Sequence, residues 1–136
     1  MRTSDCNRER GDSKSLIVIY FYVMLGGSLG ALLRFILSNQ IKWDSLHLKS
    51  PSILIANILG CFILGTIFKH PALSENLKAC ISIGFLGSLT TFSTLIHECF
   101  EAKTFMIAST TLLTHLILGM AFYLFGLSLG KTLFNG

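Results

Sequence analysis

The residues of this chain best suited to chemistry are neutral hydrogen-bonding groups set inside apolar runs. They are Asn57 within Ile55-Ala56-Asn57-Ile58-Leu59-Gly60, Ser93 and Thr94 behind Phe92, and Thr111 with His115. An amide carrying two donors among aliphatics needs partners. Hydroxyls in an apolar helix need them too, and an ionisable group deep in a bilayer is a functional candidate by default. Each has a plainer alternative: Asn57 as a clamp between helices, His115 as a neutral ring bonded to a neighbouring helix. Together they describe a narrow, donor-rich track with no carboxylate buried mid-helix. Such a track favours a small anion over a cation or a proton-coupled cargo. Phe92 fits it if its ring edge faces the path, because an aromatic edge is electropositive. Arg34 closes a stripe of Gly26, Gly27, Gly30 and Ala31 at helical spacing. It reads either as a cation snorkelling to the interface or as an anion attractor at a pore mouth.

The element that must position this track is Gly84-Phe85-Leu86-Gly87-Ser88-Leu89-Thr90-Thr91-Phe92-Ser93-Thr94, in the middle of an apolar run over 77–99. A lipid-facing helix would be filled with Leu, Ile and Val. Glycines followed by a Ser/Thr cluster weaken the helix instead. A helix broken at membrane depth persists only where its loosened backbone is buried in protein or lines a watery cavity. Breaks of that kind are where transporters and channels hold ions. The freed carbonyl oxygens would also suit a small structural cation.

Around this segment the chain is a membrane protein with barely any soluble part. Hydrophobic residues make up 51% and charged residues 13% of the 136, against roughly a quarter charged in soluble domains. The mean hydropathy is +0.65. The net charge of +4 does not suggest nucleic acid, because no basic face or motif accompanies it. Cys6, Cys61, Cys80 and Cys99 lack metal-ligand spacing, and the three within or at the end of apolar runs, Cys61, Cys80 and Cys99, read as packing residues. The organisation expected is a disordered polar tail over 1–14 and one transmembrane domain over 15–136. Its four helices cover about 15–38, 51–68, 77–99 and 104–130, the third broken near its middle. Trp43 and His47 in the first connection suit a headgroup belt, and Ser74 suits a helix start. His97-Glu98 lacks a second metal-spaced His and reads as a solvated helix end. Gly119 and Phe122 continue the stripe of Thr111 and His115, and Gly126 to Gly130 is a second GxxxG step after Gly26 to Gly30.

Four helices pack around side chains and leave no wide pore, so an aqueous path requires a second copy. Beyond the tail, Lys69, Lys78 and Lys131 fall on one side, and Lys42, Lys49 and Lys103 with Arg34 on the other. The positive-inside rule barely decides between them. Such a near-tie is what a chain inserted in both directions would show, its two copies pairing about an axis in the membrane plane.

Gly84-x-x-Gly87-x-x-Thr90-Thr91-Phe92-Ser93-Thr94 resembles the signature of the CrcB/Fluc fluoride channels. Gly26-Gly27-x-x-Gly30-Ala31-x-x-Arg34-Phe35 resembles the family's first-helix motif, and Asn57-x-x-Gly60-x-x-x-x-Gly65 its second-helix pattern. The resemblance implies a four-helix subunit in an antiparallel, dual-topology homodimer of the bacterial inner membrane. It implies two fluoride pores and a structural sodium ion at the dimer interface. It would place the sodium ion on the backbone carbonyls of Gly87 and Thr90 and fluoride contacts on Asn57, Phe92, Ser93 and Thr94. Thr111 and His115 would stand where the family's fourth helix often carries Tyr and Ser, and Arg34 in the vestibule. Leu95 departs from the pattern, because a second box phenylalanine usually stands there. The activity implied is passive fluoride export, with no enzyme chemistry, and no nucleotide loop or nucleophile triad is present. A small dual-topology multidrug exporter would need a glutamate in the first span, and Leu16 to Phe35 contains no acid. A non-conducting packing subunit would explain the glycines but not the Thr-Thr-Phe-Ser-Thr cluster.

Overall fold

The computed structural model describes residues 2–40, 51–68, 70, 71 and 73–134, with side chains from Leu16 onward. Trp43, His47 and the Lys42, Lys49 and Lys69 of the charge comparison lie outside the described residues, as do the tail's charged side chains. Every regular element among the described residues is helical. Helix α1 spans Arg2–Gln40 and α2 spans Pro51–Ile67. The third segment is built from α3 (Glu75–Lys78), a π-helical stretch (Ala79–Leu86), α4 (Gly87–Leu89) and α5 (Phe92–Phe100), and α6 spans Phe105–Phe134. The α1 backbone is helical back to Arg2, through the 1–14 segment for which the sequence suggests disorder.

Leu16–Gln40, Glu75–Phe100 and Phe105–Phe134 are each long and apolar enough to cross a membrane. Helix α2 is apolar but shorter, at 17 residues, which is about the minimum for a spanning helix. The chain is a multi-pass membrane protein. Among the described residues of α1 only Gly26 and Gly30 are buried, and most of its Leu, Ile and Phe side chains are exposed, Leu37 packing partly buried against the core.

Apolar burial cannot hold such helices together, because lipid tails are as apolar as leucine, and close packing has to do so instead. The glycines supply it. A Cβ at Gly26 would run into the Cys80 carbonyl oxygen, and one at Gly30 into the Phe85 carbonyl oxygen. From the other side, a Cβ at Gly84 would meet the Val23 carbonyl oxygen at 2.6 Å. Residues 80 and 85 would point apart on an α-helix. Winding with i→i+5 hydrogen bonds, as from Gly87 N–H to the Ser82 carbonyl, brings both under one glycine stripe. Helices α2 and α6 meet in the same manner: Gly126 lies on the Phe62 carbonyl, Gly130 on that of Thr66, and Gly65 on that of Tyr123. In both pairs the contact positions rise together, so the partners run parallel, as alternate spans must.

The two pairs are joined at the third segment. Ala56 of α2 packs with Leu86 and Leu89 in the buried core, flanked by the partly buried Ile63, Leu64 and Phe85. Gly60 gives room to the Thr90 methyl. Ser74 begins the segment, its hydroxyl accepting from Leu77 N–H at 3.4 Å, with Lys78 paired to Glu75 at 3.1 Å. His97 Nε2 pairs with Glu101 Oε1 at 3.5 Å at its far, exposed end.

Gly30→Val should lower the thermal unfolding midpoint in detergent, since forcing a side chain onto backbone costs about 1–3 kcal/mol. Gly27→Ala should be tolerated, because its Cβ would make ordinary contacts, with Ser88 Oγ at 3.4 Å and the Gly84 carbonyl oxygen at 4.0 Å. Equal midpoints for both variants would refute the close crossing.

Candidate functional site

The third segment opens at two residues. Thr90 (φ −77°, ψ 150°) and Thr91 (φ −148°, ψ 120°) are extended, so the helical ladder stops there and restarts at Phe92. Asn57 meets the opened peptide with both ends of its amide. Its Oδ1 accepts from Thr91 N–H at 2.9 Å, and its Nδ2 donates to the Thr91 carbonyl at 3.3 Å. Thr90 stays tied to the turn behind it, its N–H and hydroxyl both donating to the Leu86 carbonyl at 3.0 and 2.9 Å. Thr91 Oγ1 starts the next helix by accepting from Thr94 N–H at 3.3 Å, the usual role of a threonine N-cap. The same oxygen lies 3.2 Å from Ser93 Oγ and 3.0 Å from Thr94 Oγ1, forming a three-hydroxyl cluster.

These bonds divert two helical donors. An uninterrupted α-helix would send Thr91 N–H to the Gly87 carbonyl and Thr94 N–H to the Thr90 carbonyl. Here the first goes to Asn57 and the second to Thr91 Oγ1. The Gly87 and Thr90 oxygens are hard, neutral donors of the kind that coordinates small cations, and Gly87 is exposed on the chain surface. The donor set therefore fits the sodium ion that the sequence resemblance implies.

Two cavities flank the break. One, of about 290 Å³, is lined by Asn57, Gly60, Cys61, Leu64, Ser82, Leu86, Gly87, Thr90, Thr91, Phe92, Leu95, His115 and Leu116. The other, of about 430 Å³, is lined by Ala31, Arg34, Phe35, Ser38, Ile53, Thr91, Ser93 and Thr94. Of the residues singled out in the sequence, Asn57, Phe92, His115, Gly87 and Thr90 therefore gather in the first cavity. Arg34, Ser93 and Thr94 gather in the second. Thr111 lines neither; its carbonyl instead holds the imidazole, accepting from His115 Nδ1 at 3.0 Å. Because a carbonyl cannot donate, Nδ1 carries a proton, and in the neutral form of such a ring Nε2 is an acceptor only. Nε2 is buried without a hydrogen-bond partner, in a residue only 5% exposed.

Phe92 is 63% exposed on the chain surface, whereas Leu95 is 2% exposed and belongs to the interior. Asn57 acts as a clamp, but the clamp uses one of its two amide protons and leaves the other free to donate toward the cavity. Thr91 is the residue that sequence reasoning passed over as a site. It lines both cavities, receives the Asn57 clamp and caps α5. The available signal was a threonine three residues before Thr94 at a helix restart, an N-cap pattern.

The chain matches the family model described as CrcB-like protein, Camphor Resistance (CrcB), over residues 21–127. It is 36% identical over 122 residues to the "Fluoride-specific ion channel FluC 1" of Staphylococcus epidermidis, covering 82% of this chain and 95% of that protein. It is 35% identical over 124 residues to the "Fluoride-specific ion channel FluC" of Aquifex aeolicus, covering 85% and 98%. A third relative, the "Fluoride-specific ion channel FluC 1" of Streptococcus pneumoniae, is 40% identical over 83 residues, covering 61% and 71%.

Asn57→Ala strands the N–H of Thr91, a residue 6% exposed, at about 1–3 kcal/mol for an orphaned buried donor. Hydrogen–deuterium exchange over 87–94 should accelerate in this variant and the unfolding midpoint should fall. Unchanged exchange would mean that Asn57 does not hold the break.

Proposed function

The chain belongs to the CrcB family, and from that we propose that it is a passive fluoride channel releasing the ion from the cytoplasm. One observation carries the reading: the third segment is unwound at Thr90 and Thr91, clamped by Asn57, with Phe92 largely uncovered beside it. A side chain of that size at the edge of a donor-lined cavity is suited to an ion path completed by another copy.

Fluoride is strongly hydrated, so a selective path must replace its water with donors in a constriction too tight for larger anions. The free Asn57 N–H, the hydroxyls of Ser93 and Thr94, and the electropositive edge of Phe92 supply these contacts. The hydroxyls around Thr91 can each turn a proton toward an anion. Arg34, which shares a cavity with Ser93 and Thr94, draws anions to the vestibule. Release needs no coupling, because a negative-inside potential drives an anion outward by roughly 2.3 kcal/mol per 100 mV. Fluoride that enters as neutral HF and ionises in a more alkaline cytoplasm then has an exit, which lowers its toxicity.

The assembly we propose is an antiparallel homodimer of four-span subunits in the bacterial inner membrane, with two pores. The two exposed faces around Gly87 and Phe92 meet, and the Gly87 and Thr90 carbonyls of each copy would hold a structural sodium ion at the interface. Leu95, buried here, removes one of the aromatic contacts that the family pattern usually provides.

Protein reconstituted in liposomes should release fluoride to an electrode on addition of a potassium ionophore. Phe92→Ile and Asn57→Asp should each slow release by roughly tenfold or more, the equivalent of about 1.4 kcal/mol. Release no faster than from protein-free liposomes would defeat the proposal, and wild-type rates in both variants would remove these residues from the path. Replacing sodium with a large organic cation during purification and assay should lower the flux; indifference to sodium would remove the ion from the assembly.

A further inference from the structure

His115 stands apart from the other groups of the path. Asparagine, threonine and serine each offer a donor at any pH, whereas a neutral His115 has its single proton engaged by the Thr111 carbonyl. It leaves a buried, unpartnered Nε2 in the wall of the cavity that also holds Asn57 and Phe92. A lone pair repels an anion. Taking up a proton turns the same atom into a charged N–H donor, and charge-assisted hydrogen bonds are about twice as strong as neutral ones.

We propose that His115 is a proton-dependent anion-binding site, which receives a small anion such as fluoride at Nε2 only as the imidazolium. This rests on the channel reading above and assigns His115 a distinct part within it. The balance is simple: a proton from water joins Nε2, the Nδ1–H bond to Thr111 stays, and the anion pairs with the new Nε2–H. By linkage, acid strengthens anion binding and the anion strengthens proton uptake by the same factor.

No other group in the cavity competes for this role. Helix α2 contributes only Cys61 as a titratable neighbour, α5 contributes Phe92 and Leu95, and the π-helical stretch contributes Ser82 and Leu86. No Asp, Glu, Lys or Arg lies in that lining. Arg34 faces the other cavity, His97 pairs with Glu101 at the exposed end of α5, and Cys99 donates to the Ala108 carbonyl at 3.5 Å. Tyr123 and Lys131, elsewhere on α6, are absent from the lining of either cavity.

The test is fluoride release from liposomes in symmetric buffers at about pH 7.5 and about pH 5.5, with leakage from protein-free liposomes subtracted. Wild-type release should be several-fold faster at the lower pH. His115→Gln should lose this acceleration whatever its absolute rate. PH-independent wild-type release, or acceleration retained in His115→Gln, overturns the inference. If that variant does not fold, wild-type protein in weakly buffered detergent near pH 6.5 provides the second readout. Fluoride should alkalinise the solution by driving proton uptake, and no alkalinisation overturns the inference. Absence of release at every pH would instead remove the channel reading itself, and this inference with it.

Discussion

A side-chain amide pairing with a backbone peptide is the contact on which the rest of this structure depends. Within a bilayer an unpaired N–H or C=O costs several kcal/mol, which normally forces every spanning segment into an unbroken helix. Asn57 lifts that constraint at one place by offering Thr91 an acceptor and a donor at once. Thr91 Oγ1 then serves Thr94 N–H, so the helix restarts without a stranded donor. The consequence lies in what is released: the Gly87 and Thr90 carbonyls lose their helical partners, and three hydroxyls gather around the restart.

The clamp operates only if α2 sits at a fixed height beside the break, and in a membrane that height is set by shape. Glycine does this work in both helix pairs. The π-helical stretch is part of the same solution, because only its wider winding places the Cys80 and Phe85 carbonyls beneath Gly26 and Gly30. Gly60 completes the fit by leaving space for the Thr90 methyl. Backbone packed this closely against backbone has little freedom to slide, which suits a site that must keep its donors in register.

The two cavities divide the chemistry. Arg34 with Ser93 and Thr94 gives one cavity a positively biased, hydroxyl-rich wall. Asn57, Phe92 and His115 stand in the other, more apolar cavity. Thr91 lies in the walls of both, so the unwound peptide separates the two environments. Phe92, on the surface of the single chain, forms an exposed edge of the cavity that holds Asn57 and His115.

Much of this was legible in the chain itself. Scarce charge and long apolar runs dictate a helical membrane protein, since hydrocarbon tolerates little else, and the spans lie close to the apolar runs. Glycines beside a Ser/Thr cluster located the break, because both residue types undermine a helix on their own. Periodicity could not reveal the π winding, the double-ended clamp of Asn57 or the N-cap role of Thr91, because each depends on what a distant helix presents across the contact. Nor could it tell that Thr111 would give His115 its carbonyl rather than line a cavity, or that Leu95 would turn inward while Phe92 turned out. Local residue chemistry says which groups must be satisfied; only the packed helices decide which partner satisfies each, and which atom, here His115 Nε2, is left without one.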